Sequence, residues 1–175
     1  MKKNVLVLAT LLVAMLFSSE ITAQRFSMLR ASPLDRVSYN NSETGQSAKV
    51  MYSRPQLKGR RLSRLVPDGK VWRTGANEAT LITFSNDVVF GGTPVKAGTY
   101  SLFTIPGKST WTVILNSDTK LWGSNGMNEE KNVARVQGEV TNSVSPIEAF
   151  SIAFDKEMNL YLGWGYTIVK VPIKG

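Results

Sequence analysis

From residue 48 onward, apolar and polar positions alternate in short runs broken by glycine, proline and asparagine, and no stretch holds a 3.6-residue period across three turns. These runs read as strands at 48–53, 70–74, 80–85, 88–90, 99–105, 110–116, 134–140, 147–155, 159–164 and 166–173. Side chains two apart in a strand share a face. Phe150, Ile152 and Phe154 fall on one side of theirs, with Ser151, Ala153 and Asp155 opposite; Trp111, Val113 and Leu115 repeat the pattern, as do Leu160, Leu162 and Trp164. Gly91-Gly92 reads as a turn, the gap around Pro106-Gly107 is short enough for a hairpin, and Gly163-Trp164-Gly165 reads as a turn between the last two strands. About eight to ten strands without intervening helices predict an all-β fold, an antiparallel β-sandwich or jelly-roll-like barrel, with an open barrel as the alternative.

Three stretches depart from this pattern. Residues 24–47 are polar with little period, an N-terminal leader or an edge strand around 37–39. Residues 122–133 carry Gly123, Ser124, Asn125 and Gly126, then Asn128-Glu129-Glu130-Lys131, and read as a long loop or a single helical turn across one end of the sandwich. Residues 1–23 have the build of a cleavable signal peptide: Lys2 and Lys3, an apolar run over 5–17 interrupted only by Thr10, and Ala23 as a small residue at the cut, so that the mature chain begins at Gln24. The run is shorter than the roughly 20 residues that span a bilayer. No cysteine follows it, which excludes a lipid anchor. The expectation is a soluble, exported protein, placed first in the periplasm and second outside the cell, with one β-sandwich domain over 48–175.

Composition removes several chemistries. The chain has no histidine and no cysteine. Ser-His-Asp and Cys-His nucleophilic sites, thiolate or histidine zinc sites and disulfides are therefore excluded. No Asp-rich calcium loop and no phosphate-cradling glycine loop occurs, so no metal or cofactor is expected. The formal net charge is +8; without Lys2, Lys3 and Glu20, 19 basic residues face 12 acidic ones. Such a balance favours polyanions. For an exported protein the expected partner is an anionic or carbohydrate ligand of the cell envelope. Nucleic acid would call for aromatics interleaved with basic residues along an exposed sheet face, a pattern not seen here.

The basic residues concentrate in one place. Arg54, Lys58, Arg60, Arg61, Arg64, Lys70 and Arg73 lie close together against a single acid, Asp68, and the polar stretch 74–80 follows. Arginine forks suit carboxylate and phosphate, Trp72 would stack on a sugar ring, Asn77 offers directional hydrogen bonds and Glu78 a carboxylate. Arg54, Lys58, Arg60, Trp72, Arg73, Asn77 and Glu78 are thus the candidate ligand-binding set. Two plainer readings stand beside it: an ion-pair network of Arg54, Arg73 and Glu78 pinning a loop to the sheet, and a solvated face for Arg60, Arg61 and Arg64. The enzymatic alternative is a histidine-free, glycan-acting hydrolase or lyase using Glu78. Its second carboxylate is not singled out among Asp68, Asp118, Glu129 and Glu130. Surrounding arginines favour the ionised form of Glu78, which suits a nucleophile or base better than a general acid. A third reading is a structural or interaction domain without a small-molecule site.

Tyr52-Ser53-Arg54-Pro55, Lys58-Gly59-Arg60, Leu65-Val66-Pro67 and the long run Gly69-Lys70-Val71-Trp72-Arg73-Thr74-Gly75-Ala76-Asn77-Glu78-Ala79-Thr80 carry a resemblance. It continues through Ala97-Gly98-Thr99-Tyr100-Ser101-Leu102-Phe103-Thr104-Ile105-Pro106 and Trp111-Thr112-Val113-Ile114. Over residues 32–173 the chain resembles an exported bacterial family catalogued as domain of unknown function 2911. The resemblance implies no assigned chemistry. Two departures bear on any ligand contact there: Asp68 stands where the family has an aromatic, and Leu62-Ser63-Arg64 where an aromatic and a glycine are usual.

Overall fold

Ten strands, among the described residues, form two antiparallel sheets in a computed structural model that describes residues 31–175. The proposed signal peptide lies outside the described residues. The strands are β1 (Leu34–Asn41), β2 (Gln46–Ser53), β3 (Thr80–Phe84), β4 (Val88–Phe90), β5 (Thr93–Val95), β6 (Gly98–Ile105), β7 (Thr110–Asn116), β8 (Asn132–Phe154), β9 (Leu160–Val171) and β10 (Ile173–Lys174). A single turn of helix, α1 (Leu62–Leu65), lies between β2 and β3. The larger sheet runs β1-β2-β3-β6-β7-β8-β9 and curls into a half-barrel; the smaller runs β10-β4-β5. The fold is a β-sandwich of barrel-like form, as the alternation predicts.

The main core fills the space between the sheets. Val50, Ile82, Phe84, Leu102, Val113, Leu115, Phe150 and Leu160 enter it from the large sheet and Phe90, Val95 and Ile173 from the small one, all essentially without solvent contact. Burying a side chain of this size stabilises the fold by about 1.5–3 kcal/mol. A second, smaller core lies on the opposite face of β6 and β7. There Phe103 and Ile105 of β6 and Ile114 of β7 pack with Val71, Ala79, Leu121 and Met127, contributed by the chain segments that cover that face.

The long strands differ from the sequence reading. The runs at 134–140 and 147–155 fall, but for Asp155, in one strand, β8, and those at 159–164 and 166–173 merge into β9 between Leu160 and Val171, with Ile173 set apart in β10. Gly165 is not a turn. It sits inside β9 at φ +61°, a left-handed backbone that glycine takes without penalty, and pairs with Ile147. Asn142 pairs with Thr167 and Ile147 with Gly165, so residues 143–146 of β8 face Tyr166 alone; a second register shift lies between Ile147 and Ser151. These are bulges that bend the ladder. The expected strand at 70–74 is reduced to one bridge, Trp72 with Thr104. Conversely, β1 is a full eight-residue edge strand where the sequence showed little period.

The curl brings the two ends of the large sheet together. Beyond β2 the chain reaches the last third of β8, where Gln56 bridges Ala149, the Leu57 N–H donates to the Glu148 carbonyl at 3.0 Å and the Phe150 N–H to the Pro55 carbonyl at 2.9 Å. Farther along this seam side chains replace the ladder. The Ile152 N–H donates to Tyr52 Oη at 3.0 Å, and that hydroxyl donates to Asp35 at 3.2 Å.

Candidate functional site

The seven residues proposed from sequence do not converge. Arg54 closes the seam: Nε donates to the Phe150 carbonyl at 3.1 Å, Nη2 to Ser151 Oγ at 2.8 Å and Nη1 to Asp35 Oδ2 at 3.1 Å. Its ion-pair partner is thus Asp35, not Glu78. Burial pushes the neighbouring Tyr52 phenol above its ordinary value, helped by the Asp35 carboxylate and opposed by the Ile152 N–H and Arg54.

Trp72 belongs to an aromatic cluster. Its ring stacks on Trp164 at 5.5 Å between centroids and meets Phe150 edge-on at 4.9 Å, while Nε1 donates to the Gly75 carbonyl at 3.0 Å. It is packing, not a sugar platform. Arg73 donates to the Asn77 carbonyl at 2.7 Å. Asn77, at φ +60°, donates to Ser53 Oγ at 3.2 Å, and Thr80 Oγ1 donates to the Thr74 carbonyl at 2.7 Å. The 73–80 motif therefore knots a loop onto the end of β2. Lys58 is an exposed turn residue whose N–H donates to Glu148 Oε1 at 2.7 Å.

Glu78 lines a separate hollow of about 480 Å³ with Leu34, Met51, Tyr52, Ser53, Ala79 and Leu81. Its lining contains no second carboxylate among the described residues, so the paired acids of a glycosidase are not found there.

Arg60 alone of the seven reaches the most convincing concavity, a cleft of about 520 Å³ at one mouth of the barrel. Three walls form it. The first is the segment around α1, with Arg60, Arg61, Leu62, Ser63 and Asp68; the second is the β6–β7 turn, with Pro106, Gly107 and Lys108. The third is the bulged stretch of β8 and β9, with Asn142, Pro146, Tyr166 and Thr167. Buried Val66 and Trp111 supply an apolar floor, and Tyr166 stands 59 % exposed at the rim. A volume of this size suits a whole small ligand.

The cleft is cationic. Arg60 Nε donates to the Leu57 carbonyl at 2.8 Å and Nη2 to the Gln56 carbonyl at 2.7 Å, so neutral groups hold the guanidinium in place, and it has no ion-pair partner among the described residues. Ion pairs among the described residues join Arg54 to Asp35, Lys96 to Asp87 and Lys131 to Asp118; none involves Arg60, Arg61 or Lys108. Charge density marked Arg60 and Arg61 in the sequence, but nothing there links them to Lys108, Asn142 or Tyr166. The curl of the sheet and the β8 bulge make that link. No group of three or more Asp or Glu side chains placed to hold a metal occurs among the described residues.

Fold and cleft together define an all-β protein whose half-barrel carries a basic cleft with Tyr166 at its rim. The chain belongs to the family described as protein of unknown function (DUF2911), whose model matches residues 32–173. Neither a curated protein nor a solved structure matches it. No helix among the described residues is long and apolar enough to cross a membrane.

Proposed function

We propose that this is an exported, non-catalytic binding protein that holds an anionic, sugar-bearing ligand in the barrel-mouth cleft. The observation that carries this reading is the set of three cations, Arg60, Arg61 and Lys108, placed around one concavity without carboxylate partners among the described residues. Guanidinium and ammonium groups supply charge-assisted hydrogen bonds to carboxylate or phosphate. Ser63, Asn142 and Thr167 supply donors and acceptors for hydroxyls, and the exposed ring of Tyr166 a face for a sugar. The pattern of residues 1–23 supports export, with the periplasm as the working compartment.

Calorimetric titration of the purified protein with trigalacturonate, set against neutral maltotriose, tests the reading. Trigalacturonate should bind and maltotriose should bind at least about tenfold more weakly, a difference of about 1.4 kcal/mol. The double variant Arg61→Ala/Lys108→Ala should lose the preference while melting at the wild-type temperature. Equal affinity for the two sugars, or an unchanged preference in the double variant, overturns it.

A further inference from the structure

The cleft does not end at α1. A second open hollow of about 500 Å³, on the outer side of that turn, is lined by Gly59, Arg60, Arg61, Ser63 and Arg64. Arg60, Arg61 and Ser63 line both spaces, so the two adjoin across the helical turn. The outer hollow has no acidic residue in its lining, and Arg64, exposed in the last turn of α1, has no ion-pair partner among the described residues. Along this path Lys108 stands inside the cleft, Arg60 and Arg61 at the shared wall and Arg64 outside.

We infer that the ligand is a linear anionic glycan, several carboxylated or phosphorylated sugars long, running from the cleft across α1 onto Arg64. This rests on the cleft being the binding site. The cleft by itself has room for a whole small ligand, of the order of 300–1,000 Å³, and an adjoining cationic hollow of similar size has no use for a monosaccharide. A row of cations rather than one fork matches repeated anions. The aromatic surface selects sugar over nucleic acid: Tyr166 is a single exposed ring, where a nucleic-acid strand would need a succession of stacking platforms, and Asp68 in the cleft accepts from sugar hydroxyls.

The test is a length series of oligogalacturonates of two, four, six and eight residues, titrated into wild type and Arg64→Ala at low and moderate salt, with an eight-residue oligothymidylate as a comparison. Affinity should rise with length by at least about tenfold between two and six residues and then level off. Arg64→Ala should leave the dimer's affinity within about twofold and remove most of the gain with length; raising the salt should weaken the long oligomers most. Dimer binding with no gain from length, or an equal gain in Arg64→Ala, overturns the extended path while leaving the cleft as the site. Failure of every oligogalacturonate to bind folded protein overturns both. Oligothymidylate binding as tightly as the octagalacturonate overturns the assignment to a glycan.

Discussion

Arg54, just past β2, ties both β1 and the last third of β8 through one side chain, and replacing it is a sharp check on the seam. Arg54→Ala removes two hydrogen bonds from a charged donor, to the Phe150 carbonyl and Ser151 Oγ, and the ion pair with Asp35. Hydrogen bonds to charged groups contribute about 1.5–3 kcal/mol each when shielded. The Arg54 side chain is 35 % exposed, which brings each toward about 1 kcal/mol, and an ion pair of this exposure adds about 0.5 kcal/mol. The expected loss is about 2–3 kcal/mol. At about 3 °C per kcal/mol for a domain of this size, the melting temperature should fall by about 6–9 °C. Differential scanning calorimetry at neutral pH measures this directly, with Arg54→Lys as the companion, since an ammonium cannot reach three acceptors in the geometry of the fork. Arg54→Lys should recover less than half of the loss. A melting temperature within 1 °C of wild type for Arg54→Ala would show that the seam holds without this staple and would refute the account given for it.

Other expectations follow from neighbouring features. Tyr52→Phe deprives the Ile152 N–H of its acceptor and should cost about 1–2 kcal/mol in chemical denaturation. Because the folded phenol titrates above its ordinary value of 10.0, the stability linked to neutral Tyr52 is complete below that pH and lost as pH rises through the folded value; Tyr52→Phe should flatten this alkaline limb of a melting-temperature profile. Gly91→Ala places a Cβ 2.7 Å from the Val136 side chain at a backbone φ of +54°, and should cost about 2–4 kcal/mol, read as a lower denaturation midpoint. Burial opposes ionisation of Asp155, but hydrogen bonds from Asn159, Tyr161 and Glu157 outweigh it and hold its carboxyl below the ordinary 3.8. Its contribution is therefore present above about pH 4 and lost as pH falls further, so Asp155→Asn should lower the melting temperature at pH 7 and reduce its drop toward pH 3.

The strands of the large sheet were legible wherever one face meets the core and the other meets water, as in β2, where Ala48, Val50 and Tyr52 are buried and Lys49 and Met51 exposed. The same rule placed Ile114 on the outer face of β7, yet it is fully buried, because the chain after β7 folds back over that face and brings Leu121 and Met127 to it, with Val71 joining from the segment before β3. Period-2 patterning carries no information about such covers. Trp72 looked exposed among polar neighbours, but its stacking partner Trp164 lies in β9. Arg54 looked free for a ligand, while its acceptors stand 19 residues before it and 96 residues after it. A local run of basic residues does not reveal which of them meets a carbonyl from the far end of the chain. Arg60 and Arg61 remained legible as cations because their surroundings are local: a short turn of helix with no acid on it.

The seam also has a bearing on how the molecule fails. Where Tyr52 and Arg54 satisfy the backbone of Phe150 and Ile152, two side chains stand in for a neighbouring strand. Loss of that cover uncovers an extended segment with unpaired amide groups beside two large apolar side chains, the kind of edge that recruits another chain. Damage at this point should thus appear as association between copies at concentrations where the wild-type chain stays monodisperse, before any loss of strand content.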